Sequence, residues 1–319
     1  MSIGAAARRM LASLLLVAAA ASAGDEARLG PVREIASGVY VVSGSSESAH
    51  PGNGGAVGNL GFIATPAGSV VINAGGTYGL GQVLIALAER HTGKPAIAAV
   101  ITQARPEFVM GMAAFEERGI ELIAHEATAR LIARRCIECL HRLRRDLGDE
   151  AMRGTRLAAP TRLLSSDERI APGGRRIDLL HLGAGQTEGD LVVLDVDSGV
   201  VFAGALVTER RVPELEHAGG ARPWRAVLGR LRGLGARMLV PGYGSHGSPE
   251  ALISATDGYL ARLVDEVQAR WDTGADLMSV NREVAMPAWR VWAQYEPLHA
   301  RNVQRQFLAA EAQWMSQPK

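Results

Sequence analysis

Apolar positions in this chain follow two rhythms, and both appear in each half. Gly38–Val42 reads as a first strand. Leu60–Thr65 and Ser69–Asn73 are apolar runs joined by Pro66-Ala67-Gly68, which predicts a tightly turned strand pair. Leu80, Val83, Leu84 and Leu87 then fall on one helical face, and Pro95 closes that helix. Ala96–Thr102 reads as a buried strand, Met110–Arg118 as a helix, and Glu121–Ala124 as a short strand. A long basic helix follows over Glu126–Leu147. The second half repeats the mixture. Leu179–Leu182, Leu191–Val196 and Val200–Ala203 are strands between glycine-rich turns, Trp224–Leu234 is a helix and Met238–Val240 a strand. From Ser248 the pattern is helical almost to the end, with breaks near Thr273-Gly274 and Pro287. Strands followed by helices in each half predict an α/β or α+β sandwich.

The first 23 residues break this pattern. Arg8 and Arg9 precede an apolar run, Met10–Ala20, and the small residues Ala21-Ser22-Ala23. That order is the signature of a secretory signal peptide, with cleavage expected before Gly24 and a periplasmic or secreted destination. The route, Sec or twin-arginine, stays open. No later run is long and apolar enough to span a bilayer. Losing Arg8 and Arg9 takes the formal charge from +1 to −1, so composition points away from a nucleic-acid partner. Residues 24–250 are expected to form the main domain, and 251–319 a helical extension packing on it.

Candidate chemistry sits at strand ends. Thr102-Gln103-Ala104-Arg105-Pro106-Glu107-Phe108 follows the buried strand. Asn59-Leu60-Gly61-Phe62-Ile63, Val70-Val71-Ile72-Asn73-Ala74-Gly75, Gly185-Gln186-Thr187-Glu188-Gly189-Asp190, Phe202-Ala203-Gly204-Ala205 and Val240-Pro241-Gly242-Tyr243-Gly244 complete an ordered set. In order and spacing the set resembles the metallo-β-lactamase-fold superfamily over roughly residues 33–250. The resemblance implies an αββα sandwich with its metal site at one edge, between the sheets.

In that superfamily the loop carries His-x-His-x-Asp-His, where this chain has Gln103, Arg105, Glu107 and Phe108. Three further ligand positions, a His, a bridging Asp and a last His, correspond to Gln186, Ala205 and Tyr243. Phe108 and Ala205 offer no ligand atom, and Arg105 only donates hydrogen bonds and carries positive charge. Zinc takes thiolate, imidazole or carboxylate, so the resemblance implies a degenerate site with no zinc cofactor. Two placements for Arg105 are open: paired with Glu107 in the pocket, or turned to solvent. Asp190 stands where the family keeps an acidic residue, and a structural hydrogen-bonding role is expected of it.

Pro287, Trp289, Trp292, Tyr295, His299, Asn302 and Glu311 resemble the tail of exported quinoprotein relay system metallohydrolases. This implies an accessory or binding role beside periplasmic quinoprotein oxidation, with a quinoprotein or cytochrome as partner. The alternatives are a hydrolase with a non-standard metal site or metal-free catalysis, and a redox accessory protein. The last would use Cys136 and Cys139, the chain's two cysteines. In an exported chain a lone pair reads first as a disulfide. Leu140 in place of His after the second cysteine argues against haem attachment. The arginines at 130, 134, 135, 142, 144 and 145 read as a solvated helix face or a docking surface for an acidic partner. Ser43–Gly55, rich in Ser and Gly, reads as a mobile loop or a ligand-shaping flap.

Overall fold

A computed structural model describes residues 24–316. The expected signal peptide lies outside the described residues. Two sheets stack face to face. The first has seven strands in sequential order: β1 (Val32–Ala36), β2 (Val39–Val42), β3 (Leu60–Thr65), β4 (Gly68–Ile72), β5 (Ala96–Ile101), β6 (Glu121–His125) and β7 (Arg162–Leu164). Pairing is antiparallel from β1 to β4 and parallel from β4 to β7. The second sheet runs β12-β11-β10-β9-β8. Its strands are β8 (Glu168–Ile170), β9 (Ile177–Leu180), β10 (Val192–Asp195), β11 (Val200–Thr208) and β12 (Met238–Tyr243). Only β11 and β12 pair in parallel in that sheet.

The central strands of each sheet are covered on both faces, so they read as nearly continuous apolar runs. Along β4, Val70 and Ile72 point into the space between the sheets, where they meet Val39, Ile63, Val193 and Phe202. Val71 points the other way, into a core beneath the helices of the first sheet. Those helices are α1 (Tyr78–Thr92), α2 (Pro106–Val109), α3 (Met112–Glu117) and α4 (Glu126–Ala151). The outer face of the second sheet is covered by α5 (Ala221–Arg232), α6 (Pro249–Asp272), α7 (Leu277–Glu283) and α8 (Tyr295–Met315). Trp224, Tyr259 and Leu263 are fully buried there, and Val303 and Phe307 of α8 join the same core. The four layers are helices, sheet, sheet, helices. No helix among the described residues is long and apolar enough to cross a membrane.

Several expected boundaries move for local reasons. The strand expected to stop at Ala203 continues to Thr208 as β11, because Gly204 adopts φ 52° and the register with β12 shifts around it. The long helix reaches Ala151 through a break at Gly148, whose φ of 81° and ψ of 163° suit glycine. Strands β1, β7 and β8 carry few buried side chains, too few for the sequence pattern to reveal them.

Candidate functional site

The loop after β5 is tied down at its first residue. The backbone N–H and the hydroxyl of Thr102 both donate to Asn73 Oδ1, at 2.9 and 2.8 Å. Asn73 itself has φ 64°, a region asparagine tolerates better than most residues. Gln103 Oε1 accepts from Ala205 N at 3.0 Å, which bolts the loop to β11 in the other sheet, and lies 2.7 Å from Thr102 Oγ1, whose single proton it shares with Asn73 Oδ1. Gly204 makes this approach possible. A Cβ there would lie 2.1 Å from Gln103 Oε1 and 2.6 Å from Thr102 Oγ1.

Arg105 caps α2, with Pro106 as its first residue, and turns inward. Its guanidinium lies 3.2 Å from Glu107 Oε1 and 2.7 Å from Glu214 Oε2. Burial opposes its charge, but Glu107 and Glu214 outweigh burial and hold the guanidinium protonated far above the ordinary range. Glu107 is pulled the other way. Burial would raise its pKa, yet Arg105, Arg211 and the Tyr243 hydroxyl together lower it. Burial likewise opposes ionisation of Glu214, and Arg105 overrides it, bringing this carboxyl down to about 2.

Tyr243, at the end of β12, donates a short hydrogen bond to Glu107 Oε1. Burial first, with the neighbouring Glu107 carboxylate adding to it, pushes the phenol well above its usual range, so it remains a donor. Its ring stacks on Phe108 with centroids 6.1 Å apart, and the Arg211 guanidinium lies over it at 4.1 Å. Arg211 also donates to the carbonyls of Ser46 and Glu47 in the 43–55 segment. The ionisable groups thus neutralise one another, two guanidiniums against two carboxylates.

Gln103, Arg105, Glu107, Phe108, Ala205 and Tyr243 are brought together at the edge between the sheets. Gln186 stands beside them, with Nε2 at 3.5 Å from Glu214 O. Gln103 Nε2 and Gln186 Oε1 are buried without a partner, a donor and an acceptor left over in one region. Asp190 accepts Thr187 N–H at 3.0 Å and Thr187 Oγ1–H at 2.6 Å, closing the Gly185–Asp190 turn. Burial raises its carboxyl to about 7 against those hydrogen bonds. His125 and His181 stack at 4.1 Å, but His125 Nδ1 accepts from Ala127 N and His181 Nδ1 bonds the Asp190 carbonyl. Among the described residues, no group of three or more His, Cys, Asp or Glu side chains is placed to hold a metal ion.

Glu214 and Arg211 belong to the site although the sequence did not single them out. The charged run Glu209-Arg210-Arg211 with Glu214 just beyond it was the available signal, since an arginine buried among carboxylates needs partners. The 43–55 segment is also held in place. Ser48 Oγ donates to Gln294 Oε1 at 2.8 Å, and Gln294 Nε2 donates to Glu47 Oε2 at 2.9 Å. The six helix arginines are exposed, as a solvated face requires, and Arg135 and Arg142 border the cleft.

The structure does not show the expected disulfide. Cys136 is buried, Cys139 is half-buried, and both are free thiols. Both lie within the regular part of α4. There, positions three apart keep their Cβ atoms ~5–6 Å apart, beyond the ~3.5–4.5 Å a disulfide needs.

No family model matches the chain. A metallo-β-lactamase type 2 from Bacillus sp. (strain 170) is 25% identical over 212 residues, covering 64% of this chain and 74% of that protein. Among solved structures, a metallo-β-lactamase from Pontibacter korlensis superposes with a TM-score of 0.59 at 22% identity, over 73% of this chain and 99% of that one. A metallo-β-lactamase from Hirschia baltica gives 0.57 at 20% identity, over 72% and 97%. The fold is therefore the metallo-β-lactamase-like αββα sandwich, with a helical C-terminal region added.

Proposed function

We propose that this chain is an exported, non-hydrolytic member of the metallo-β-lactamase-fold superfamily, acting as a binding or accessory protein. The observation that carries the reading is the Arg105 guanidinium, set between Glu107 and Glu214 in the loop where relatives are expected to bind metal. The donor set does not fit zinc, which commonly takes four ligands from thiolate, imidazole and carboxylate. Gln103 Oε1 already accepts the Ala205 N–H and shares the Thr102 hydroxyl proton. Phe108 and Ala205 have no ligand atom, and Arg105 has only donors. The two carboxylates at hand are neutralised by Arg105 and Arg211. Without an activated water there is no hydrolytic nucleophile of the kind zinc supplies, and no step is assigned through metal.

The resemblance of the Trp289–Glu311 region to exported quinoprotein relay proteins supports a place beside periplasmic quinoprotein oxidation. The exposed arginines of α4 offer a face for an acidic quinoprotein or cytochrome. The test is hydrolysis of a chromogenic β-lactam, a thioester and a phosphodiester by protein purified from zinc-supplemented cells, with periplasmic fractionation of the same cells. The reading expects no turnover above buffer and a mature chain starting at Gly24 in the periplasm. Chelator-sensitive turnover of any of the three would establish the rival, a hydrolase with a non-standard metal site.

A further inference from the structure

The cleft beside Arg105 has a second wall, and that wall is α4. Cys136 and Cys139 both border the cleft, a cavity of about 360 Å³ that also meets Arg105, Glu107, Glu214 and His217. The two thiols are unlike. Cys136 is 1% exposed and packs with Ile132, Leu140 and Leu143 in the core beneath the first sheet. Cys139 is half-buried and free. The Arg142 and Arg105 guanidiniums favour the Cys139 thiolate and, against burial, hold its pKa below the ordinary thiol value. Burial drives the Cys136 thiol upward. An accessible, readily ionised thiol beside a buried one held in reserve is the asymmetry that thiol–disulfide exchange uses. The Cβ separation three residues apart on a helix exceeds the disulfide range by only ~1–2 Å, so a local adjustment of one helical turn joins them.

We propose that Cys136 and Cys139 form a two-electron dithiol–disulfide couple that reduces a low-molecular-mass disulfide admitted to the cleft. The Cys139 thiolate attacks one sulfur of the incoming disulfide, R–S–S–R. That S–S bond breaks, a Cys139–S–S–R bond forms, and the released thiolate takes up a proton. Cys136 then gives up its proton and attacks Sγ of Cys139, expelling the second thiolate, which is protonated in turn. The protein dithiol is oxidised by two electrons and the disulfide is reduced to two thiols. Excess thiol runs the couple backward, so no other reactant is required. The cavity size favours a small disulfide over one on a folded protein. The Glu47–Ser48 segment, tied to Gln294, forms another part of its wall.

The test uses the reduced mature protein under anaerobic conditions with glutathione disulfide, read by mass spectrometry and thiol titration. Wild type should lose both thiols, gain the Cys136–Cys139 disulfide and release two glutathiones. Cys136→Ala should stop at a mixed disulfide on Cys139. Cys139→Ser should slow thiol loss by about tenfold or more, with an unchanged circular dichroism spectrum showing that it folds. The proposal is overturned if Cys139→Ser reacts as fast as wild type, or if Cys136→Ala forms no adduct. It is also overturned if wild type stops at the mixed disulfide, or if insulin disulfides are reduced faster than glutathione disulfide. Metal content and hydrolysis do not enter this readout, so it stands or falls apart from the proposed function.

Discussion

The space between the two sheets and the cleft at their edge are built from the same strands by opposite means. Between the sheets, Val70, Ile72, Ile63, Val193 and Phe202 contact one another without directional demands. A few residues further along the chain, Asn73, the Thr102–Phe108 loop, Gly204 and Tyr243 form a polar edge. There Arg105 is buried between Glu107 and Glu214, and directional hydrogen bonds tie the loop to Asn73, Ala205 and Tyr243. Burial stabilises the first by non-directional area removed from water. The second holds together only if complete, because a buried charge that loses its partner is strongly destabilising.

That difference is open to mutation. Arg105→Ala leaves Glu107 and Glu214 buried without their cation and is expected to cost about 3–5 kcal/mol in urea unfolding. Replacing Arg105, Glu107 and Glu214 together by Met, Leu and Leu should recover most of that loss, because buried charge and its need for pairing go together. If the triple variant is no better than Arg105→Ala, the edge does not depend on mutual neutralisation. Ile72→Ala, in the intersheet core, should cost about 2–5 kcal/mol, with no dependence on pH. Gly204→Ala should cost about 1–3 kcal/mol, since the methyl meets Gln103 Oε1 and the left-handed backbone is strained as well. An unchanged midpoint would mean that the Gln103 bolt is loose.

The smallest expected effect concerns acid. Glu214 has its folded pKa depressed to about 2 from an ordinary 4.5. Its contribution is therefore complete above 4.5 and is lost as pH falls toward 2. Glu107 is lowered too and acts in the same direction. Stability measured from pH 5 down to pH 2 should fall more steeply in wild type than in Glu214→Gln, whereas Ile72→Ala should keep the wild-type slope. Equal slopes for wild type and Glu214→Gln would remove Glu214 from the network.

The two regions also differ in how much the sequence discloses. The apolar runs at Ser69–Asn73, Ala96–Thr102 and Val200–Ala203 identify strands of the sandwich directly, because burial on both faces leaves a local trace. Strand β1 leaves less, since as an edge strand it carries Arg33 and Glu34 in its middle. At the cleft, the Gln103–Phe108 loop and Tyr243 were legible from the glycines and apolar strands that frame them. Glu214 and Arg211 were not, because their approach to Arg105 depends on how the loop after β11 returns across the sheet edge, and no local periodicity encodes that return. The cysteine spacing was legible, but its chemistry was not. Two cysteines three apart read as a disulfide, and only the structure places them as free thiols of unequal burial on the wall of the cleft.

The proposed function requires that charge pairing stand in place of metal at the sandwich edge. Equilibrium dialysis of metal-stripped mature protein against zinc, followed by elemental analysis, tests it most directly. With the thiols alkylated so that Cys136 and Cys139 cannot contribute, the account predicts far less than one zinc per chain. It also predicts the same result for Glu107→Gln. One or two equivalents retained by the wild type and lost in Glu107→Gln would contradict it.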